Sequence, residues 1–322
     1  MIKKPHELTS HPFLKCLVYG QPGIGKSTFA LSAPNPVLLD FDNGVHRVRY
    51  EHQTDTLQVN NWSEVQEVLN NNSLSPYKTI VIDTAGKMLD YMTEYLIKGN
   101  PKLGKSNGAL SLQGYGERKG EFLNFLKKIS IMGKHLIFVA HEKEEKDGDT
   151  TVKRPEVGGS SGTDLFKELD FIGYMEANGK KRTISFTPTD KYYAKNSCNL
   201  VDVMELVDVS EGNQNNFFTE NILKVYETNL QDRKDKVEEY NTLMEVIEAK
   251  VEAIKDAKTA NEVMAWGKSF EGFLADSKIQ LRHKLSQKAK SLELIFDTEK
   301  VQYKNKAKEP TNKEKETAYA AV

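Results

Sequence analysis

The stretch "FLKCLVYGQPGIGKSTFALSA", residues 13–33, constrains this chain more than any other. An apolar run of strand character ends at Tyr19. A glycine-rich bend follows, and Lys26 opens a run of helical character. The bend reads G-x-x-x-x-G-K-S. Gly20, Gly23 and Gly25 let the backbone curl with its N–H groups facing inward, Lys26 offers a charge to β- and γ-phosphates, and Ser27 offers a hydroxyl to Mg²⁺. The N-terminus of the helix behind it adds a partial positive charge. Gly20, Gln21, Pro22, Gly23, Ile24, Gly25, Lys26, Ser27 and Thr28 are therefore expected to cradle a nucleoside triphosphate with Mg²⁺. The base is not encoded here. The alternative is a glycine-rich turn that binds nothing.

Three more apolar runs end in polar residues, as strands of an α/β sheet do where they deliver side chains to one edge. "KTIVIDTAGKM" ends its run at Asp83, which is placed to hold the metal; the alternative is a helix-capping Asp. Position 84, where many ATPases carry a catalytic Glu, is Thr. The water-activating group must then lie elsewhere. "PVLLDFDNG" supplies Asp40 and Asp42, and Asp42 is the candidate general base; the alternative is a plain turn over Asp42, Asn43 and Gly44. "KHLIFVAHEKEE" ends at His141, a candidate to sense the γ-phosphate or else an ordinary surface histidine.

Organisation follows composition. Residues 1–11 form a polar lead-in. Residues 12–228 alternate short apolar runs with helical stretches, the pattern of an α/β domain. Residues 229–297 nearly lack Gly and Pro and read as helices, and 298–322 read as a disordered tail. With 38% hydrophobic and 28% charged residues and a net charge of −1, the chain can bury a core but has no global basic field to attract nucleic acid. Cys16 and Cys198 read as free thiols of a reducing cytoplasm. No run is long enough to span a membrane, and the first residues lack the apolar core of a signal peptide.

The succession of phosphate loop, "LLDFDNG", "IVIDTAGKM", a glycine-bearing polar segment and "GERKGEFLNFLKKISIMGKHLIFVAHEKEE" resembles the RecA-like ATPase core. More closely it resembles phage-encoded RecA-like nucleotide-binding proteins of single-strand annealing and recombination, over roughly residues 12–200. The resemblance implies an α/β P-loop core with a mostly parallel sheet, followed here by a small C-terminal helical bundle. It implies ATP as the nucleotide and single-stranded DNA as a partner. A ring or filament of identical subunits and the cytoplasm of a bacterial host are implied as well. The sensor strand is expected between the P-loop strand and the Asp83 strand. His141 stands where the family often has Gln, and Asp42 where it usually has Glu.

The family holds DNA on two loops. The first corresponds to residues 97–120, where Lys98, Lys102, Lys105, Arg118 and Lys119 against Glu117 give a charge of +4. Cations meet phosphates and Tyr115 could stack on a base, so Lys102, Lys105, Tyr115, Arg118 and Lys119 are the candidate DNA contacts; the alternative is a solvated flexible loop. The second corresponds to 142–164, with "DGD" as a hairpin turn and Lys153 and Arg154 as candidates. The resemblance also implies a cation reaching the γ-phosphate from a neighbouring subunit, Lys195 first and Arg182 second.

In the helical end, Val237, Tyr240, Met244, Ile247, Val251 and Ile254 form a heptad stripe. Thr259 with Glu262 reads as a capping box. The next helix would bury Val263, Trp266 and Phe270, and a third Ile279, Leu285, Leu292 and Ile295. Such helices pack on one another, or dock on a partner such as a single-strand-binding protein. Two functions rival DNA-dependent hydrolysis. One is a nucleotide-gated binding module with little turnover. The other is a small-molecule phosphotransferase, against which the few, scattered arginines argue.

Overall fold

A computed structural model describes residues 2–3, 7–8, 12–148, 150–209, 212–269 and 275–306. They fall into two compact units, Ser10–Leu230 and Met1–Thr9 with Gln231–Val322.

In the first unit the elements run β1 (Lys15–Gly20), α1 (Lys26–Ala30), β2 (Pro36–Asp40), β3 (Thr56–Gln58), α2 (Trp62–Asn70), β4 (Thr79–Asp83), α3 (Ala85–Gly99), α4 (Leu112–Met132), β5 (His135–Asp147), β6 (Thr150–Pro155), α5 (Gly159–Glu168), β7 (Phe171–Asn178), β8 (Lys181–Ser185), β9 (Lys195–Asn196) and β10 (Met204–Glu205). Among the described residues these strands form one sheet in the order β10-β8-β7-β1-β5-β4-β2-β3, with β6 on β5 and β9 on β7. From β7 to β3 every neighbouring pair is parallel. Strand β5, which carries His141, thus lies between the P-loop strand β1 and the Asp83 strand β4, the order that the resemblance implies.

Parallel sheets are covered on both faces, which is why the strands read as unbroken apolar runs. Leu17 and Tyr19 of β1, Ile80 and Ile82 of β4, and Leu136 and Phe138 of β5 face one core with Trp62, Met88 and Phe125 of α2, α3 and α4. Cys16, Val18, Val81, Ile137 and Val139 face the other, with Phe29 of α1 and with Phe218 and Ile222. Burial pushes the Cys16 thiol pKa far above its ordinary value, so that thiol is inert. The helices start where side chains satisfy their free N–H groups: Asn61 accepts from Glu64 N, Thr84 from Lys87 N and Ser111 from Gly114 N.

The C-terminal residues carry α6 (Lys224–Glu252), α7 (Ala257–Ser269), α8 (Ala275–Ser291) and a hairpin of β11 (Ile295–Asp297) with β12 (Gln302–Lys304). Ile247, Val251, Ile254, Ala260, Val263, Leu281 and Leu285 share one core, so the heptad stripe packs within the bundle. Four expectations need correction. The cap of α7 is Asp256, whose Oδ1 accepts from Thr259 N at 2.8 Å; Thr259 lies inside the helix. On α8 the buried apolar positions are Leu281, Leu285 and Ala289, while Ile279 is exposed. Ile295 belongs to the hairpin rather than to a helix. Residues 298–304 are not a bare tail: Asp297 turns the chain by accepting from Glu299 N and Lys300 N, and Gln302–Lys304 pairs back on Ile295–Asp297. Phe270 and residues 307–322 lie outside the described residues.

Candidate active site

Strand register brings the expected side chains to one edge. Gly20 pairs with His141, Asp40 with Asp83 and Asp83 with Val139, so four strand ends line up at the carboxyl edge of the sheet. Gly20 is required there by space, because a Cβ on it would lie 2.3 Å from Met175 O of β7. Gly23 and Gly25 have φ of 79° and 93°, the left-handed conformations that bend the loop back over the edge. Ile24 is buried in the core on the α1 face, anchoring the loop from below.

The loop opens on a cavity of about 400 Å³ lined by Pro22, Gly23, Gly25, Lys26, Ser27 and Thr28 from the loop and by Asp83, Thr84 and His141 from the neighbouring strand ends. Lys26 is 6% exposed, and its Nζ donates to Gly20 O at 3.0 Å and Gln21 O at 2.7 Å. Burial holds its pKa below the ordinary lysine value, and the carboxylates of Asp83, Glu142 and Asp42 oppose that shift. Ser27 Oγ donates to Asp83 Oδ2 at 2.5 Å. Burial raises the Asp83 pKa; the Ser27 hydrogen bond lowers it, nearby Asp40 and Asp42 raise it, and Lys26 lowers it. A hydroxyl and a carboxylate in contact are the hard oxygen donors Mg²⁺ takes, and that ion needs only one or two protein ligands when phosphates supply the rest. The donor set therefore fits the metal.

The two aspartates at the end of β2 have different settings. Asp40 is 1% exposed, and its carboxylate accepts from Asp42 N, Gly44 N and Val45 N at 3.2, 3.1 and 2.9 Å. It builds the turn. Asp42 projects from that turn into the cavity, where Arg47 Nη1 lies 3.7 Å from its Oδ2. His141 Nδ1 is buried and has no hydrogen-bond partner among the described residues. Thr84 caps α3 and is not a base. Arg182 lines the cavity of its own chain. Lys195 does not: its Nζ donates to Phe166 O and Lys167 O at 3.3 Å and to Leu169 O, capping the end of α5.

The sequence reading missed Arg47, Arg49 and His52, which the short 3₁₀ turns at Val45–Arg47 and Tyr50–His52 set into the cavity wall. A signal was present. "VHRVRYEH" clusters cations directly behind the Asp42 turn, and the fold folds that cluster back over the site.

The sequence model of the AAA domain matches residues 13–198, more than half of the chain. The chain belongs to the AAA domain family. The match takes in the phosphate loop, Asp42, Asp83, His141 and Arg182, and leaves out the C-terminal helices. No curated protein matches the chain. Among solved structures, the crystal structure of the RadB recombinase aligns with a TM-score of 0.33 and 14% identity, covering 53% of this chain and 79% of that one, a likeness too remote to argue from.

Within the AAA domain the 97–120 segment is not a mobile loop. Only its middle is irregular, with a 3₁₀ turn at Pro101–Leu103, and from Leu112 it is helix α4. Gly114 serves close packing, since a Cβ on it would lie 2.4 Å from Leu103 O. Arg118 is buried, donating through Nη1 to Thr93 Oγ1 at 3.3 Å and through Nη2 to Gly158 O at 3.4 Å. It holds α3, α4 and the residue before α5 together and is unavailable to phosphate. Lys119 pairs with Asp164 at 2.8 Å. Lys102 and Lys105 are exposed and Tyr115 is 41% exposed. The 142–164 segment begins as the expected hairpin, β5 turning through Gly148 into β6. Lys153 Nζ there donates to Tyr174 Oη at 3.0 Å and lies 3.3 Å from Glu142. Arg154 lies 2.9 Å from Glu145.

Proposed function

We propose that this chain is a Mg²⁺-dependent ATPase, stimulated by single-stranded DNA and acting in DNA recombination or single-strand annealing in a bacterial host cytoplasm. One observation carries the reading: Lys26, Ser27, Asp83 and His141 converge on one cavity at the carboxyl edge of the sheet, with the sensor strand between the other two. In this reading the loop backbone and Lys26 hold the β- and γ-phosphates. Ser27 and Asp83 hold Mg²⁺, which when bound neutralises charge on the phosphate oxygens. Asp42 accepts a proton from water as the water oxygen bonds to the γ-phosphorus. The bridging bond then breaks and ADP keeps the electron pair. His141, whose buried Nδ1 lacks a partner, hydrogen-bonds the γ-phosphate and registers its loss.

Exposed Lys102, Lys105 and Tyr115 are the DNA contacts that this reading retains, and identical subunits assemble so that these contacts repeat along the strand. A single-strand-binding protein is a further partner. A cation from a neighbour could come from Lys195 only if it left its three carbonyl acceptors. The Asp42–Arg47 pair supports a second reading, a nucleotide-gated binding module in which the base is restrained and turnover is slight. ATP turnover measured against single-stranded DNA concentration, with molecular mass measured with and without nucleotide, tests the first against the second. Turnover that rises with DNA supports the ATPase; turnover near zero at all DNA concentrations supports the gated module.

A further inference from the structure

We infer that Arg182 is a cation the chain supplies to the triphosphate of its own site, so that this charge arrives in cis rather than from a neighbouring subunit. The inference rests on the nucleotide reading of the cavity and goes beyond it.

Position comes first. β8 runs antiparallel to β7, and Arg182 sits opposite Ala177. Met175, two residues earlier on β7, sits opposite Gly20, the last residue of β1. Two residues of strand rise about 7 Å. Arg182 therefore stands about 7 Å beyond the level at which the P-loop strand ends. Its backbone is fixed there, because β8 pairs with β7 on one side and Leu206 N donates to Arg182 O at 2.8 Å on the other.

The side chain then reaches over the loop. Arg182 Nη1 lies 3.3 Å from where a Cβ on Gly25 would be, so the guanidinium rests on the P-loop glycine next to Lys26. It lines the same cavity as Ser27, Asp83 and His141. Its guanidinium makes no hydrogen bond or ion pair with another of the described residues. The other cations differ: Arg47 faces Asp42, and Lys195 caps α5. An arginine held at a phosphate loop with its donors unspent has the chemistry of a polyphosphate clamp, since its planar fork of N–H groups matches phosphate oxygens. In the hydrolytic step it moves no proton. It offsets the negative charge that builds on the ADP leaving group, as an arginine finger does whether supplied in cis or in trans.

The test uses the full chain and ATP itself. Arg182 is exposed, so Arg182→Ala should leave the thermal midpoint unchanged. ATP affinity should fall by roughly tenfold or more, with Arg182→Lys between the two, and an unchanged affinity overturns the proposal. That binding readout holds even if the wild type proves not to hydrolyse ATP, a result that would count against the proposed function alone. Where the wild type turns over, Arg182→Ala should lose at least roughly 100-fold in turnover at saturating ATP. Mixing it with Lys26→Ala then distinguishes the source of the cation. In cis, the mixture does no better than the two proteins measured apart. Recovery of a substantial part of wild-type turnover would mean that the Lys26→Ala subunits lend their Arg182 to a neighbour, and would overturn the proposal.

Discussion

Ser27 Oγ donates a hydrogen bond of 2.5 Å to Asp83 Oδ2, joining the end of the phosphate loop to the end of β4 across 56 residues of sequence. The contact exists because β5 inserts between β1 and β4 and fixes their separation. It places the two oxygens a metal would take in one spot and leaves a carboxylate buried beside Asp40 and Asp42.

A buried carboxylate whose pKa is raised by burial disfavours the folded state when it is charged. Asp83→Asn removes that charge while an amide oxygen can still accept from Ser27. The variant should melt no lower than the wild type, and by a few degrees higher, while Mg²⁺-dependent nucleotide binding is lost. A clear fall in thermal midpoint would mean that Asp83 is mainly structural.

Asp42 and Asp40 should separate cleanly. Asp42→Asn should keep ATP binding and lower turnover by roughly 100-fold, the scale of losing a general base. Asp40→Asn should lower stability by about 1–3 kcal/mol, because an amide nitrogen cannot replace both oxygens that serve three backbone N–H groups. Equal turnover for Asp42→Asn and wild type, measured by phosphate release, would move the base elsewhere.

The parts of this site that were legible in the sequence are those fixed by short-range patterns. The phosphate loop and the three strand ends each lie within about a dozen residues and the α6 stripe within one helix, where local spacing and the periods of two and three and a half residues operate. The parts not legible depend on pairing between distant segments. Nothing local tells that Arg182 comes to rest on Gly25, because that follows from β7 lying beside β1. Gly99, Gly104, Gly108, Gly114 and Gly116 suggest a mobile loop in the sequence, yet Ser111 caps the helix and Gly114 is needed for close packing. Arg118 read as a phosphate contact because charge is visible in a sequence and burial is not.

The proposed DNA contacts make a distinct prediction. Changing Lys102 and Lys105 together to Ala should weaken single-stranded DNA binding and reduce the slope of log affinity against log salt by about 1.4, two phosphates at about 0.7 each. Arg118→Ala should instead lower the thermal midpoint, with DNA affinity of the folded protein unchanged. Fluorescence anisotropy at several salt concentrations reads the first and thermal melting the second. An unaltered slope in the double variant would exclude this segment as the DNA site.

His135 predicts how stability responds to acid. It is 8% exposed, its Nδ1 accepts from Leu14 N at 3.1 Å, and burial, aided by the charge of Lys78, lowers its pKa from 6.5 to about 4. The folded state therefore refuses a proton that the unfolded state takes. This contribution is intact above pH 6.5 and is lost as pH falls towards 4, by up to about 3 kcal/mol. His135→Asn keeps an acceptor for Leu14 N but cannot titrate, so denaturant unfolding at about pH 7 and about pH 5 should show a smaller loss for it than for the wild type. Identical losses would mean that His135 does not drive the response.

The central claim is that the Lys26, Ser27 and Asp83 cluster hydrolyses ATP with Mg²⁺ and answers to DNA. It is tested most directly by steady-state phosphate release from ATP, with and without Mg²⁺ and across single-stranded DNA concentrations, for the wild type and Lys26→Ala. The expected result is release that requires Mg²⁺, rises with DNA and disappears in Lys26→Ala. Release that persists in Lys26→Ala at the wild-type rate, or is indifferent to Mg²⁺, would contradict it.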